Sequence, residues 1–189
     1  MMNRACAPRL FPILCALVVM PSLPARAAAP ALPAAAQTAP AVPKTVSGLP
    51  LPRFVSLKAD RVNVRGGPTR DNDVTWVYNR AGLPVEVTAE FENWRRIRDW
   101  EGAEGWVYHS LLSGRRTATV APNEKNKSEL YPIYAKPDLQ SGVVAKLQVG
   151  VLAAVKHCTG NWCRISGEGF DGWIQQERLW GVYPDERLE

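Results

Sequence analysis

The sequence predicts an all-β chain carrying two small barrels in tandem, and three observations predict it. First, the chain repeats itself. Gly82-Leu83-Pro84-Val85-Glu86-Val87 returns as Gly150-Val151-Leu152-Ala153-Ala154-Val155, Asn93-Trp94-Arg95-Arg96-Ile97 as Asn161-Trp162-Cys163-Arg164-Ile165, and Gly105-Trp106-Val107 as Gly172-Trp173-Ile174. Ordered matches at offsets of 68, 68 and 67 residues mark two copies of one module. Second, each copy consists of short apolar runs divided by turn residues, with no sustained helical period. Third, the region after residue 52 holds all seven tryptophans and is long enough for two modules of about 60 residues.

Residues 1–27 read as a secretory signal. Arg4 and Arg9 precede an apolar run from Leu10 to Leu23, which is short for a bilayer span, and Ala25-Arg26-Ala27 fits a small-x-small cleavage site. Cleavage takes Arg4, Arg9 and Arg26 from the 23 basic residues, leaving 20 against 18 acidic, a net charge of +2. Such a balanced chain lacks the concentrated basic face that nucleic acid requires, and no membrane span is expected in the mature chain. Cys6 and Cys15 also leave, so the mature chain keeps Cys158 and Cys163 in an oxidising compartment. Residues 28–52, mostly Ala and Pro, read as a disordered linker. The first module is assigned to 53–115, an inter-domain linker to 116–127, the second module to 128–181 and a C-terminal tail to 182–189.

In the first copy, Arg61-Val62-Asn63-Val64-Arg65 alternates as a half-buried strand does, and Gly66-Gly67-Pro68 ends it. Trp76-Val77-Tyr78 restarts a strand. Residues 84–89 and 94–98 form a hairpin around Glu92-Asn93. Residues 105–108 make a last strand, and His109-Ser110-Leu111-Leu112 a helical turn. Five short strands and one terminal turn describe a small closed barrel, whose closure removes exposed edges.

These residues resemble the bacterial SH3-like (SH3b) domains of exported proteins. The likeness rests on Val62-Asn63-Val64-Arg65-Gly66-Gly67-Pro68, the Gly82 turn before Pro84-Val85-Glu86-Val87, Asn93-Trp94-Arg95-Arg96-Ile97 and Gly105-Trp106-Val107. It covers both copies. In the second, Tyr131-Pro132-Ile133-Tyr134-Ala135-Lys136-Pro137 keeps the shape of the opening and loses its Asn-Val-Arg letters. The resemblance implies two SH3-like barrels that act as targeting or binding modules, not catalysts.

Gly160-Asn161 suits a two-residue hairpin turn, which sets Cys158 opposite Cys163 at about 4.5–5.5 Å between α-carbons, within reach of a disulfide. The repeat maps these cysteines onto Glu90 and Arg95, an opposite-charge pair at the same place. Free thiols and metal or redox chemistry are the other readings. His157 beside Cys158 points to the opposite face of the strand, and two thiols with one imidazole fall short of a zinc site.

Trp94 with Trp162, and Trp106 with Trp173, recur at matched positions and are expected to pack the barrels. Trp180 is expected to seal the end of the second. Trp76, which the offset sets against Val144, and Trp100 in a loop have no aromatic counterpart. With Arg65, Tyr78 and Tyr108 they are the candidate ligand-binding residues, aromatic faces supplying apolar contact and the arginine orientation. Arg65, Arg70, Arg95, Arg96 and Arg98 would make a cationic groove, or a solvated face balanced by Asp71, Asp73, Asp99, Glu101 and Glu104. No catalytic residue, cofactor or metal site is assigned, since neither histidine pairs with a credible nucleophile. The expected function is an exported, periplasmic or secreted, non-catalytic module binding cell-wall peptide or an envelope protein. The alternatives are a scaffold with no small ligand, or a small hydrolase or inhibitor.

Overall fold

The computed structural model describes residues 45–121 and 130–189, all within one compact unit spanning Ala41–Glu189. The signal segment, most of the Ala/Pro linker and residues 122–127 of the assigned inter-domain linker lie outside the described residues. Among those described, no helix is long and apolar enough to cross a membrane.

The first module runs β1 (Arg53–Leu57), β2 (Val62–Arg65), β3 (Val74–Tyr78), β4 (Pro84–Phe91), β5 (Trp94–Arg98), β6 (Glu104–Tyr108), a 3-10 turn at His109–Leu111, and β7 (Leu112–Ser113). The second runs β8 (Thr117–Val120), β9 (Tyr131–Tyr134), β10 (Val143–Leu147), β11 (Leu152–Thr159), β12 (Trp162–Gly167), β13 (Phe170–Gln175), a 3-10 turn at Gln176–Arg178, and β14 (Leu179–Trp180), with β15 (Arg187–Leu188) added. The antiparallel sheets share one order: β3-β2-β6-β5-β4-β1-β7 and β10-β9-β13-β12-β11-β8-β14. Seven strands in the first sheet and eight in the second replace the five expected per copy, and the first ladder ends at β3 and β7 without a pairing between them.

Each sheet wraps its own core. Strand alternation turns Val62, Val64, Val85, Val87, Ile97 and Val107 inward at 0 % exposure. In the second copy Ile133, Ile165 and Ile174 take the corresponding places. The local defects recur too. A one-residue bulge falls between Val87 and Ala89 in β4 and between Val155 and His157 in β11.

Three assigned boundaries differ from the structure. The linker at 116–127 contains β8, four buried residues that pair with β11 and β14. Matching registers equate Ser56 with Thr119, an offset of 63, whereas Arg65 and Tyr134, both opposite the recurring tryptophan, are 69 apart. The β8–β9 connection is therefore six residues longer than β1–β2, and this insertion hides β8 from a search at constant offset. The linker at 28–52 docks in its last residues: Ser47 bonds the Glu90 carboxylate through its amide (2.8 Å) and hydroxyl (2.6 Å), and Leu51 packs on the first core. The tail at 182–189 buries Val182 in the second core and pairs β15 with β11.

Bonds cross between the barrels. Thr117 Oγ1 donates to Gly82 O at 2.6 Å, Trp180 Nε1 to Pro84 O at 3.3 Å and Tyr183 OH to Glu86 Oε1 at 2.9 Å. The Phe54 ring meets Trp180 and Tyr183 with centroids 5.0 and 4.6 Å apart. Trp180 thus joins the barrels, where the sequence placed it at one barrel end.

Candidate functional site

Because β2 buries Val62 and Val64, it turns Asn63 and Arg65 outward. On β6 the same parity buries Gly105 and Val107 and turns Trp106 and Tyr108 outward. Arg65 faces Trp106 across the β2–β6 ladder, and Trp94 faces Tyr108 across β5–β6. The outcome is a groove of about 460 Å³ lined by Asn63, Arg65, Arg70, Trp94, Tyr108, Ser110 and Leu111.

Its parts hold one another. Arg65 Nη1 donates to Asn72 O at 2.6 Å, tying the strand to the loop that follows it. The Arg70 guanidinium lies 6.0 Å from the Tyr108 ring centroid, and Trp94 meets the same ring edge to face at 5.5 Å. Among the described residues neither Arg65 nor Arg70 has a carboxylate within ion-pair distance. The other arginines of the expected cationic groove are committed elsewhere. Arg95 pairs with Glu90 at 3.1 Å, Arg96 with Glu104 at 2.5 Å and Arg98 with Glu86 at 2.5 Å. The cationic groove therefore reduces to two guanidiniums beside two aromatic rings.

Of the five candidate ligand residues, the structure brings together Arg65 and Tyr108. Trp76 sits opposite Val64 and packs, with Tyr78, against the first core. Its register partner in the second copy is Ala145 rather than Val144, because β2 and β9 are 69 residues apart. Tyr78 donates its hydroxyl to Asp99 Oδ2 at 2.8 Å. Burial and that hydrogen bond to the carboxylate push its phenol well above the usual range. Asp99 Oδ1 accepts from the amides of Glu101 and Ala103, shaping the loop that carries Trp100, which is 40 % exposed. Trp76 and Tyr78 thus cover the first core, and Trp100 stands exposed in the β5–β6 loop.

The recurring tryptophans depart from expectation in the other direction. Trp94 is buried at 8 % exposure, packed on Tyr108, while Trp106, Trp162 and Trp173 are half-buried, and none of the four joins the two main apolar clusters. The sequence held the signal: Ile97 and Ile165 are three residues after Trp94 and Trp162, an odd separation that sets isoleucine and tryptophan on opposite faces. Parity also explains why Arg95 and Cys163 point inward. Cys158 and Cys163 are directly paired and form a disulfide with α-carbons 4.1 Å apart, at the register position where the first copy holds Glu90 and Arg95. Beside it, His157 turns outward onto the Trp173 ring at 5.8 Å.

The second copy does not reproduce the groove. The positions of Asn63, Arg65 and Tyr108 are taken by Pro132, Tyr134 and Gln175, and Tyr134 packs edge to face on Trp162 at 5.6 Å. Beside them remains a hollow of about 80 Å³ lined by Tyr131, Pro132, Ile174, Gln175 and Arg178.

Two antiparallel sheets of one topology make a pair of small β modules, one of which bears an aromatic–cationic groove. The bacterial SH3 domain model matches residues 58–114 and again 127–181, more than half of the chain, and the protein belongs to that family. Bacterial SH3 domains are typically binding modules. No curated protein matches the chain. Among solved structures, NlpC2 and NlpC1 from Trichomonas vaginalis are similar at 12 % identity, covering 68 % of this chain, with TM-scores of 0.31 and 0.30. The chain spans about half the length of each, 48 % and 45 %.

Proposed function

We propose that the protein is an exported, non-catalytic binding module of the cell envelope. Its first barrel holds a carboxylate-bearing peptide, of the cell wall or of an envelope protein, in the groove between Arg65, Arg70, Tyr108 and Trp94. The observation that carries this reading is the pair of guanidiniums left without carboxylate partners beside a Tyr–Trp wall. The guanidinium fork matches a carboxylate, and the rings offer apolar area at low entropy cost. Export is supported by the N-terminal sequence and by a disulfide, which persists in oxidising compartments. A non-catalytic role is supported by the surroundings of the histidines, which stack on Tyr108 and Trp173, and by the engagement of Cys158 in the disulfide.

The test is co-sedimentation with purified cell-wall sacculi across a salt series. Pelleting at low salt that weakens as salt rises, and that Arg65→Ala/Arg70→Ala abolishes, is the expected result. Failure to pellet at low salt removes the cell wall as ligand. Unchanged pelleting by the double variant removes the groove. A scaffold role is the second reading, favoured by the bonds from Thr117, Trp180 and Tyr183 that fasten one barrel to the other.

A further inference from the structure

The second barrel carries a larger concavity than the groove of the first, and it too lies against the recurring tryptophan. A cleft of about 570 Å³ opens between the β11–β12 turn, the 3-10 turn after β13 and the C-terminal segment. Trp162, Gln176, Glu177, Val182 and Asp185 are among its lining residues. Register equates Trp162 with Trp94 and Gln175 with Tyr108, so both barrels put a concave site against the same tryptophan. The charge is opposite. The first groove holds Arg65 and Arg70, while the charged residues lining the second are Glu177 and Asp185. Two cations sit at its edge: Arg178 Nε pairs with Glu177 at 3.4 Å while its guanidinium lies over the Tyr131 ring, and Arg187 Nε comes near the Gly160 turn, so among the described residues Asp185 is the lining carboxylate with no cation within ion-pair distance.

A second observation points to a ligand that donates hydrogen bonds. Gln176 is 4 % exposed, and its Nε2 is committed to Tyr183 O at 2.6 Å and Glu186 O at 3.1 Å. Those two acceptors fix which end of the amide is nitrogen. Among the described residues its Oε1 is a buried acceptor with no partner, in a residue that lines the cleft. A buried acceptor left unmade is unfavourable, and because this atom is closed off from solvent, an N–H donor in the cleft relieves it through a small shift of the lining side chains.

We propose that this cleft is a second binding site, and that it takes a cationic amine such as a lysine-type ε-ammonium on a peptide. The ammonium lies between Glu177 and Asp185, its stem lies along the Trp162 ring, and an N–H of the ligand reaches Gln176 Oε1. The site does not rest on the first groove. The closing segment that carries Val182, Pro184 and Asp185 lies beyond residue 181, where the family match ends.

The experiment is NMR titration of the ¹⁵N-labelled full chain with Nα-acetyl-lysine methylamide, and in parallel with its Nε-acetylated analogue. The Trp162 indole and Gln176 side-chain amide signals are expected to shift with the charged probe at concentrations on the order of 10 mM, and to stay put with the neutral one. Glu177→Gln/Asp185→Asn, two exposed changes, is expected to weaken binding about fivefold, and Arg65→Ala/Arg70→Ala to leave it unchanged. Equal shifts with the neutral analogue, equal affinity in the Glu177/Asp185 variant, or stationary Trp162 and Gln176 signals in a folded spectrum would each overturn the proposal. Any of these leaves the sacculus experiment untouched, because that experiment reads the first barrel.

Discussion

Glu90 offers the sharpest test of how the first barrel is held. Its side chain is 1 % exposed, and its carboxylate accepts from Ser47 N (2.8 Å), Ser47 Oγ (2.6 Å), Arg53 Nη2 (2.6 Å) and Arg95 Nε (3.1 Å). Burial pushes the carboxyl up. The two Ser47 donors and the Arg53 and Arg95 charges outweigh burial and hold it at about 2, against an ordinary value of 4.5. That difference sets an upper bound of about 3 kcal/mol of stability at neutral pH, reduced by solvent screening because the Ser47 bonds lie at the surface. The folded state binds this proton less readily than the unfolded chain, so the contribution is complete above about pH 5 and fades as pH falls towards 2. Glu90→Gln removes the charge, sets an amide group among donors, and leaves the Arg95 guanidinium, 9 % exposed, without its carboxylate. Breaking a buried pair in this way costs about 3–5 kcal/mol. Urea denaturation followed by tryptophan fluorescence at pH 7, 5 and 3 reads both effects. The variant should unfold at much lower urea at pH 7, and its stability should fall less than the wild type's between pH 5 and 3. A loss under about 1 kcal/mol at pH 7, or an acid slope equal to the wild type's, would refute the reasoning.

Three further outcomes follow from the same contacts. Cys158→Ser/Cys163→Ser opens a short loop and should lower stability by about 2 kcal/mol, and reductant should give the wild type the same loss in thermal melts. Gly105→Ala places a methyl against Val64 Cγ1, Arg65 O and the Trp76 ring, and should cost about 2–3 kcal/mol by urea denaturation; Gly102→Ala, with open space around it but φ of +86°, should cost about 1 kcal/mol from backbone strain alone. Tyr183→Phe removes the bond to Glu86 across the barrels, while Arg98 keeps Glu86 paired, so it should cost about 1–2 kcal/mol and separate the barrels' transitions in calorimetry.

Much of this architecture was legible from residues alone. The turn glycines, the Asn-Trp-x-Arg-Ile runs and the Gly-Trp-apolar runs lie in segments where both copies keep one length, so a fixed offset aligned them. β8 was not legible, because a six-residue insertion separates it from the rest of its module and its Thr-Ala-Thr-Val letters share little with Arg-Phe-Val-Ser-Leu of β1. The site was legible only in part. Arg65 and Tyr108 are outward by strand parity, and the same parity, carried through from Val64 to its partner Trp76, sets Trp76 on the core side. Which arginines stay unpaired could not be read from composition: Glu86 and Glu90 take Arg98 and Arg95 directly opposite them, and Glu104, opposite Arg98, takes the diagonal Arg96, a choice that exists only once the strands and their bulge are in register.

The two copies also solve one structural problem with different means. β4 and β11 each run eight residues, yet β1 covers only the Pro84–Val87 half of β4 and β8 only Leu152–Ala154 of β11. The far half of each long strand, after its bulge, would present an open edge. In the first barrel the segment before β1 comes to this place, and Ser47 bonds Glu90 there. In the second the segment after β14 comes to it, and β15 pairs Leu188 with Cys158 and Arg187 with Thr159. Glu90 and Cys158 are the same register position, so an ion pair with a docked N-terminal segment and a disulfide with a docked C-terminal strand are alternative closures of one hairpin. Both closing segments lie outside the stretches that match the family, 58–114 and 127–181. The module alone leaves its longest strand half covered, and the flanking chain completes it. This places the C-terminal segment in two roles at once: Arg187 and Leu188 close the hairpin, while Val182, Pro184 and Asp185 just before them line the acidic cleft beside Trp162.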